Sequence, residues 1–212
     1  MRRIRFASPE EVLNALPSVT EHLRAHGVIA YPTETVYGFG GLITQPALQR
    51  VAQLKSRGED KPFLLLVSQP AQLAGLEWNE AARLLAQELC PGPLTLALRA
   101  TSGEFPAQIL SAEQTVAVRE TPHPGLRTLL DVLGEPITST SANLPRQPPA
   151  SSGDQAARVL AELGADDVLL LDGGPLPAAE PSTLVDCSRD PVRVLREGAI
   201  PVATIRNVVS NI

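Results

Sequence analysis

Aromatic side chains are scarce in this chain of 212 residues, which has one Trp, two Tyr and four Phe, 3% in all. Base-stacking platforms for single-stranded nucleic acid need such rings, so that mode of binding is disfavoured. Cysteine is nearly absent: Cys90 and Cys187 are isolated, without metal-type spacing, and imply no disulfide. Positive charge is in deficit. A net charge of −5 and a pI near 5.3 argue against broad attraction to nucleic acid or anionic membrane, while a local basic cleft stays open. There is no apolar run of about 18 residues, which excludes a transmembrane helix. The N-terminus, MRRIRFASPEE, is basic but has no apolar signal core. The expectation is a cytoplasmic protein with no membrane contact. Hydrophobic residues reach 43%, so the core must come from Leu, Val, Ala and Ile. No composition break divides residues 1–212, and one domain is expected.

Familiar catalytic motifs are missing too. There is no GxxxxGK[ST] loop, and Gly38-Phe39-Gly40-Gly41 is not GxGxxG, because Ile43 stands in the last glycine's place. GxSxG, HExxH and paired-cysteine patterns are absent. His22, His26 and His123 are scattered.

What is present centres on Val28 to Leu42, VIAYPTETVYGFGGL. Val28–Tyr31 reads as a buried strand that Pro32 stops, since proline has no N–H to donate. If Thr33–Tyr37 stays extended, Thr33, Thr35 and Tyr37 share one face, with Glu34 and Val36 on the other. Hydroxyls followed by glycines suit a small-molecule site, or equally a strand end whose threonines satisfy their own backbone.

Around this stretch, Ser8-Pro9-Glu10-Glu11 opens a helix with a capping box, expected to break or kink at Pro17 and to end near Gly27. Helices are expected over 46–54, 79–89 (capped by Asn79), 125–133, 156–163 and 200–209. Strands are expected over 63–67, 94–98, 115–119, 136–140, 168–171, 183–186 and 192–196. The Pro/Ser-rich segment 144–153, LPRQPPASSG, reads as a loop and a candidate lid. Alternating strands and helices indicate an α/β domain with a mixed sheet.

Four short patterns carry candidate chemistry. In Lys55-x-Arg57 both cations share a face if the helix ends near Leu54; the alternative is two cations favouring a helix C-terminus. Ser141-x-Asn143, after Thr138-Ser139-Thr140, ends a strand with hydroxyls and an amide that suit phosphate or magnesium-bound water, or a plain turn. Thr115, Ala117 and Arg119 alternate on one strand face, so Arg119 needs an anion, either Glu34 or a ligand carboxylate. Pro181-Ser182-Thr183 opens one late strand, and Val192, Val194 and Arg196 share a face of the other. The ensemble has cations and hydroxyls but no nucleophile, so it would position reactants and stabilise charge, as ATP chemistry requires.

These residues resemble the YrdC-like family of threonylcarbamoyl-adenylate synthases. YPTETVYGFGG is similar to the family's YPTET-x-YGLG segment, and LKSRGEDKPF to its KxRPxxKPL. CPGPLTLAL, TVAVRETPHP, TSTSANL, DGGP, PSTLVD and LREGAI follow in the family's order, as in its short form. The resemblance implies a twisted mixed β-sheet flanked by helices, with a basic concave cleft. It implies that L-threonine, bicarbonate and ATP yield threonylcarbamoyl-AMP and pyrophosphate, for the N6-threonylcarbamoyl modification of tRNA adenosine. Lys55, Arg57, Ser141 and Asn143 would be the catalytic tetrad around the phosphates, with Mg2+ carried by ATP and no protein ligand assigned. Thr115 and Arg196 would also contact ATP. Thr33, Tyr37, Arg119, Ser139 and Ser182 would hold threonine. The product would pass to a threonylcarbamoyl transferase complex, with room for a weak tRNA contact. Two departures stand out: Gly58 replaces the family's proline after KxR, and Leu144-Pro145-Arg146 follows Asn143, giving Arg146 as a further phosphate contact. An RNA-binding module without synthase activity, or a relative that adenylates plain carbamate, would carry similar segments.

Overall fold

The computed structural model describes residues 1–55, 61–70, 73–101 and 103–209. In chain order the elements are β1 (Arg2–Arg5), α1 (Pro9–Arg24), β2 (Ile29–Pro32), β3 (Tyr37–Gly40), α2 (Gln45–Lys55), β4 (Leu64–Val67) and α3 (Glu80–Leu89). Next come β5 (Leu94–Arg99), β6 (Thr115–Glu120), α4 (Pro124–Leu133), β7 (Ile137–Ser141) and α5 (Gly153–Glu162). The chain closes with β8 (Leu169–Asp172), β9 (Thr183–Asp186), β10 (Arg193–Arg196) and α6 (Val202–Val208). The strands join one mixed sheet, in the order β1-β8-β2-β3-β7-β4-β6-β5-β9-β10. Among the described residues no helix is long and apolar enough to cross a membrane.

Where pattern and structure differ, the cause is identifiable. β1 carries three arginines in four residues and has no apolar alternation; it forms by parallel pairing with β8, and Arg3 is held by Asp172 at 2.7 Å. The stretch after Pro32 does not stay extended. It turns at Thr33–Val36, closed by the Thr33 N–H on the Val36 carbonyl at 3.1 Å, and returns as β3 antiparallel to β2. α1 runs unbroken through Pro17, which lies on the solvent side, where water can take the hydrogen bond proline cannot make. Its opposite face, Val12, Ala15, Val19 and Leu23, is buried and keeps the helix in register with the core. Segment 144–153 is short of a free lid. Ala150 exchanges backbone bonds with Ala142 and Tyr37, and Ser152 already caps α5.

The two faces of the sheet are covered unequally. One face buries Val28, Phe39, Leu65, Leu96, Val116, Val118 and Val185 in a large core with α2, α3, α5 and α6. On the other, α1 and α4 cover Ile29, Tyr31, Leu66, Ile137, Leu169 and Leu171, all from β8, β2, β7 and β4. No described residue of β5, β6, β9 or β10 belongs to that second cluster. Partners across a ladder share a face. Leu66 opposite Arg119, and Ala117 opposite Ala97, therefore extend this face through Arg119, Ala117 and Thr115, and through Ala97 and Thr95. Half of one face is apolar under two helices. The other half is small and polar.

Candidate active site

Three charged clusters hold the expected site residues, and two of them, those of Arg119 and Arg196, are close enough to interact electrostatically. The first lies at the end of β7. Lys55, the last residue of α2, donates from Nζ to the Ser141 carbonyl at 2.8 Å, the Asn143 carbonyl at 3.2 Å and Asn143 Oδ1 at 2.5 Å. Ser141 Oγ donates to the same Oδ1 at 2.6 Å, and Asn143 Nδ2 is held by the Leu144 and Gln147 carbonyls at 2.8 and 2.9 Å. Every polar side-chain atom of Asn143 is therefore oriented, and one ammonium is fixed beside one hydroxyl. Arg57 and Gly58, the rest of the KxR pattern, lie outside the described residues. Arg146 is exposed and holds φ 63.

The second cluster is Arg119, with Glu34 against it. The guanidinium is nearly buried and forms an ion pair with Glu34, whose side chain comes from the β2–β3 turn. Burial lowers the Arg119 pKa to about 10, with nearby Tyr31 opposing the shift and Arg196 adding to it; the group stays cationic at neutral pH. Beside it, the Tyr31 ring lies over Gly38 and Gly40, where a Cβ would meet the ring and the phenol oxygen. These glycines therefore make room for Tyr31. Tyr31 Oη donates to the Thr138 carbonyl at 3.1 Å, burial raises its pKa, and the Ser139 hydroxyl bonds to it.

The third cluster is Ser182 with Arg196 and Thr95. Arg196 Nη2 and Nε donate to the Ser182 carbonyl at 2.8 and 3.1 Å, and Nη2 also reaches Ser182 Oγ at 3.2 Å. Thr95 Oγ1 lies 2.8 Å from Ser182 Oγ. The expected alternation, with Val192, Val194 and Arg196 on one face, is overturned by a β-bulge: Val194 pairs with Val185, but Arg196 pairs with Leu184. The extra residue, Leu195, is half exposed. The bulge re-aims Arg196 away from the core face of Val185 and onto the face of Thr95 and Ser182. Thr95 is the one contact here that the spacing of CPGPLTLAL did not single out; its alternation with Ala97 was the available signal.

Other expected residues are placed differently. Thr33 Oγ1 accepts the Thr35 and Val36 amides, both at 3.1 Å, and donates to the Val36 carbonyl at 2.6 Å, so it organises its own turn. Tyr37 does not share a face with Thr33: its side chain is buried, its Oη donates to the Gly174 carbonyl at 2.8 Å and accepts the Gly173 amide at 3.0 Å. The turn at 33–36 is the physical reason, because it reverses the chain between the two residues. Tyr37 is thus a support for the Asp172–Gly174 loop. Thr115 Oγ1 meets Ser111 Oγ at 2.8 Å. Among the described residues no group of three or more His, Cys, Asp or Glu side chains could hold a metal ion. Both cysteines are free thiols.

Comparison with known proteins places the chain in a family. A family model for Sua5, YciO and YrdC, described as telomere recombination, matches residues 21–198. A threonylcarbamoyl-AMP synthase of Pyrococcus abyssi is 33% identical over 193 residues, covering 90% of this chain and 56% of that protein. One from Vibrio cholerae is 35% identical over 188 residues, covering 86% of this chain and 97% of that protein. The structure of P. abyssi Sua5 complexed with L-threonine superposes with a TM-score of 0.86 at 30% identity, covering 100% of this chain and 61% of that one. The chain thus spans little more than half the length of some relatives and nearly all of others. The family match over residues 21–198 and a relative 35% identical over nearly its whole length agree: the chain belongs to the Sua5/YciO/YrdC family.

Proposed function

We propose that this protein is an L-threonylcarbamoyladenylate synthase, a nucleotidyltransferase. It would make threonylcarbamoyl-AMP and pyrophosphate from L-threonine, bicarbonate and ATP, in the cytoplasm. What supports this is an oriented ammonium, Lys55, beside Ser141 and Asn143, together with two arginines, Arg119 and Arg196, that lie close enough to interact electrostatically on a half-face of small and polar residues. The synthase activity named for the P. abyssi and V. cholerae relatives, and the L-threonine complexed with P. abyssi Sua5, support the choice of substrates.

In this reading the threonine amine adds to bicarbonate and water leaves, giving a carbamate. A carbamate oxygen attacks the α-phosphorus of ATP, the bond to the β-phosphate oxygen breaks, and pyrophosphate departs. Arg119 holds the threonine carboxylate bidentately. Ser139, Ser182 and Thr33 define the amino-acid side. Lys55, Arg57 and Arg196 receive the triphosphate, where fixed cations stabilise charge that moves to the leaving group. Thr115 borders the nucleotide side. Magnesium, when bound, supplies charge neutralisation on the triphosphate. The hard oxygens of Ser141 and Asn143 would suit its waters. The product would serve N6-threonylcarbamoyladenosine formation in tRNA, through hand-over to a threonylcarbamoyl transferase complex.

The test is pyrophosphate release from ATP with threonine and bicarbonate omitted in turn. Release that needs both supports the synthase. Release with bicarbonate and ammonia but without threonine would point to a carbamate-adenylating relative, and no release to an RNA-binding module. Lys55→Ala and Arg57→Ala should each lose about 10–100-fold in rate, since charge-assisted contacts contribute ~1.5–3 kcal/mol.

A further inference from the structure

Glu34 stands where an incoming carboxylate would have to bind. It sits on the turn between β2 and β3, and β7 and β4 separate that hairpin from β6 in the sheet. The turn therefore reaches past two strands to bring Glu34 onto Arg119. The partners are unequal in access: the Arg119 side chain is 7% exposed and that of Glu34 21%. Arg119 is the floor, held within β6. Glu34 is nearer solvent, on a turn closed by its own Thr33 hydroxyl.

Arg119 and Glu34 are in contact as an ion pair, and Nη2 is the nitrogen that Glu34 meets. The Nε–Nη2 edge of a guanidinium is the fork that takes a carboxylate bidentately. Glu34 therefore occupies the edge that a free α-carboxylate would use, and the two cannot hold it together.

We propose that Glu34 is an internal competitor for the carboxylate site. It holds Arg119 until the substrate carboxylate displaces it, so that amino-acid binding is coupled to an outward shift of the Thr33–Val36 turn. This rests on Arg119 being the carboxylate anchor of the proposed function. The apparent affinity for threonine is then lowered by the fraction of time the internal pair is formed. A ligand whose carboxylate is replaced by an alcohol cannot make the exchange.

Titration calorimetry on the full chain tests it, with L-threonine and L-threoninol, on wild type, Glu34→Gln and Arg119→Gln. Glu34→Gln should bind L-threonine about fivefold more tightly or better, with threoninol unchanged. In wild type, hydrogen exchange of the Thr35 and Val36 amides should change with L-threonine and not with threoninol. If Glu34→Gln binds threonine equally or more weakly while Arg119→Gln abolishes binding, the competitor role is wrong and the anchor stands. If Arg119→Gln keeps wild-type affinity, the anchor itself is wrong. Should Glu34→Gln fail to fold, the wild-type amide response decides, and its absence overturns the proposal.

Discussion

Arg196 touches the carbonyl of Ser182, at 2.8 and 3.1 Å, only because Leu195 is one residue more than β9 can pair. Without that bulge, Arg196 would follow Val194 onto the core face. Exchanging the two residues, Leu195→Arg with Arg196→Leu, keeps composition and charge but turns the guanidinium to the exposed side of the bulge. ATP affinity should fall about tenfold or more, because a charge-assisted contact is worth ~1.5–3 kcal/mol. The melting temperature should move little, since Leu195 is already 50% exposed. Equilibrium binding of ATP beside a thermal melt checks both parts.

Asn143 offers a second test. Its Oδ1 accepts from both Lys55 and Ser141, at 2.5 and 2.6 Å, while Nδ2 donates to the Leu144 and Gln147 carbonyls. Asn143→Asp adds charge beside Lys55 but sets an acceptor against those two carbonyls, so the melting temperature should fall modestly. The same charge neutralises Lys55 and repels a triphosphate. The expected outcome is a loss of at least ~10-fold in ATP affinity, larger than the loss of stability accounts for. Retained ATP affinity would place the triphosphate elsewhere.

Much of this site is legible in the order of the residues alone. Alternation puts Val116 and Val118 in the core and leaves Thr115 and Arg119 to the other face, because a strand's period of two is rigid. Asn79 and Ser8 announce their helices, since an exposed first turn needs a side-chain acceptor. What stays hidden depends on partners far along the chain. β1 exists through β8, far along the chain, with Arg2 opposite Leu169. β3, which follows the turn at Thr33, finds its other neighbour in β7, with Phe39 opposite Thr140. The bulge at Leu195 leaves no mark in an apolar pattern, and Gly40 is explained by a tyrosine ring and a carbonyl on two other strands.

Gly40 makes that last point measurable. A Cβ there collides with the Thr138 carbonyl and crowds the Tyr31 hydroxyl, both held in the sheet. Backbone cannot rotate aside as a side chain can. Gly40→Ala should therefore cost about 3 kcal/mol or more, at the severe end for overpacking. Gly103 is the control, because a Cβ there meets nothing within 4 Å. Gly103→Ala should leave the urea midpoint within experimental scatter, while Gly40→Ala lowers it sharply or prevents folding.

His123 connects helix α4 to pH. It is the N-cap, and its Nδ1 accepts the Leu126 amide at 3.3 Å, with the ring stacked on Phe6 at a centroid distance of 6.4 Å. Protonating Nδ1 would turn that acceptor into a donor facing another donor, at the positive end of a helix. Burial also opposes the charged ring, and the pKa is lowered in the folded protein. The folded state thus refuses a proton that the unfolded chain accepts below about pH 6.5. Stability from this group is complete above that pH and declines as pH falls from there toward the lower folded value. Asparagine caps as well as histidine and does not titrate, so His123→Asn should stay within about 1 kcal/mol of wild type at pH 7.5. Urea unfolding at half-unit steps from pH 7.5 to 5 should show wild type losing stability below about pH 6.5 and the variant losing less. Parallel curves would mean that His123 titrates alike in both states.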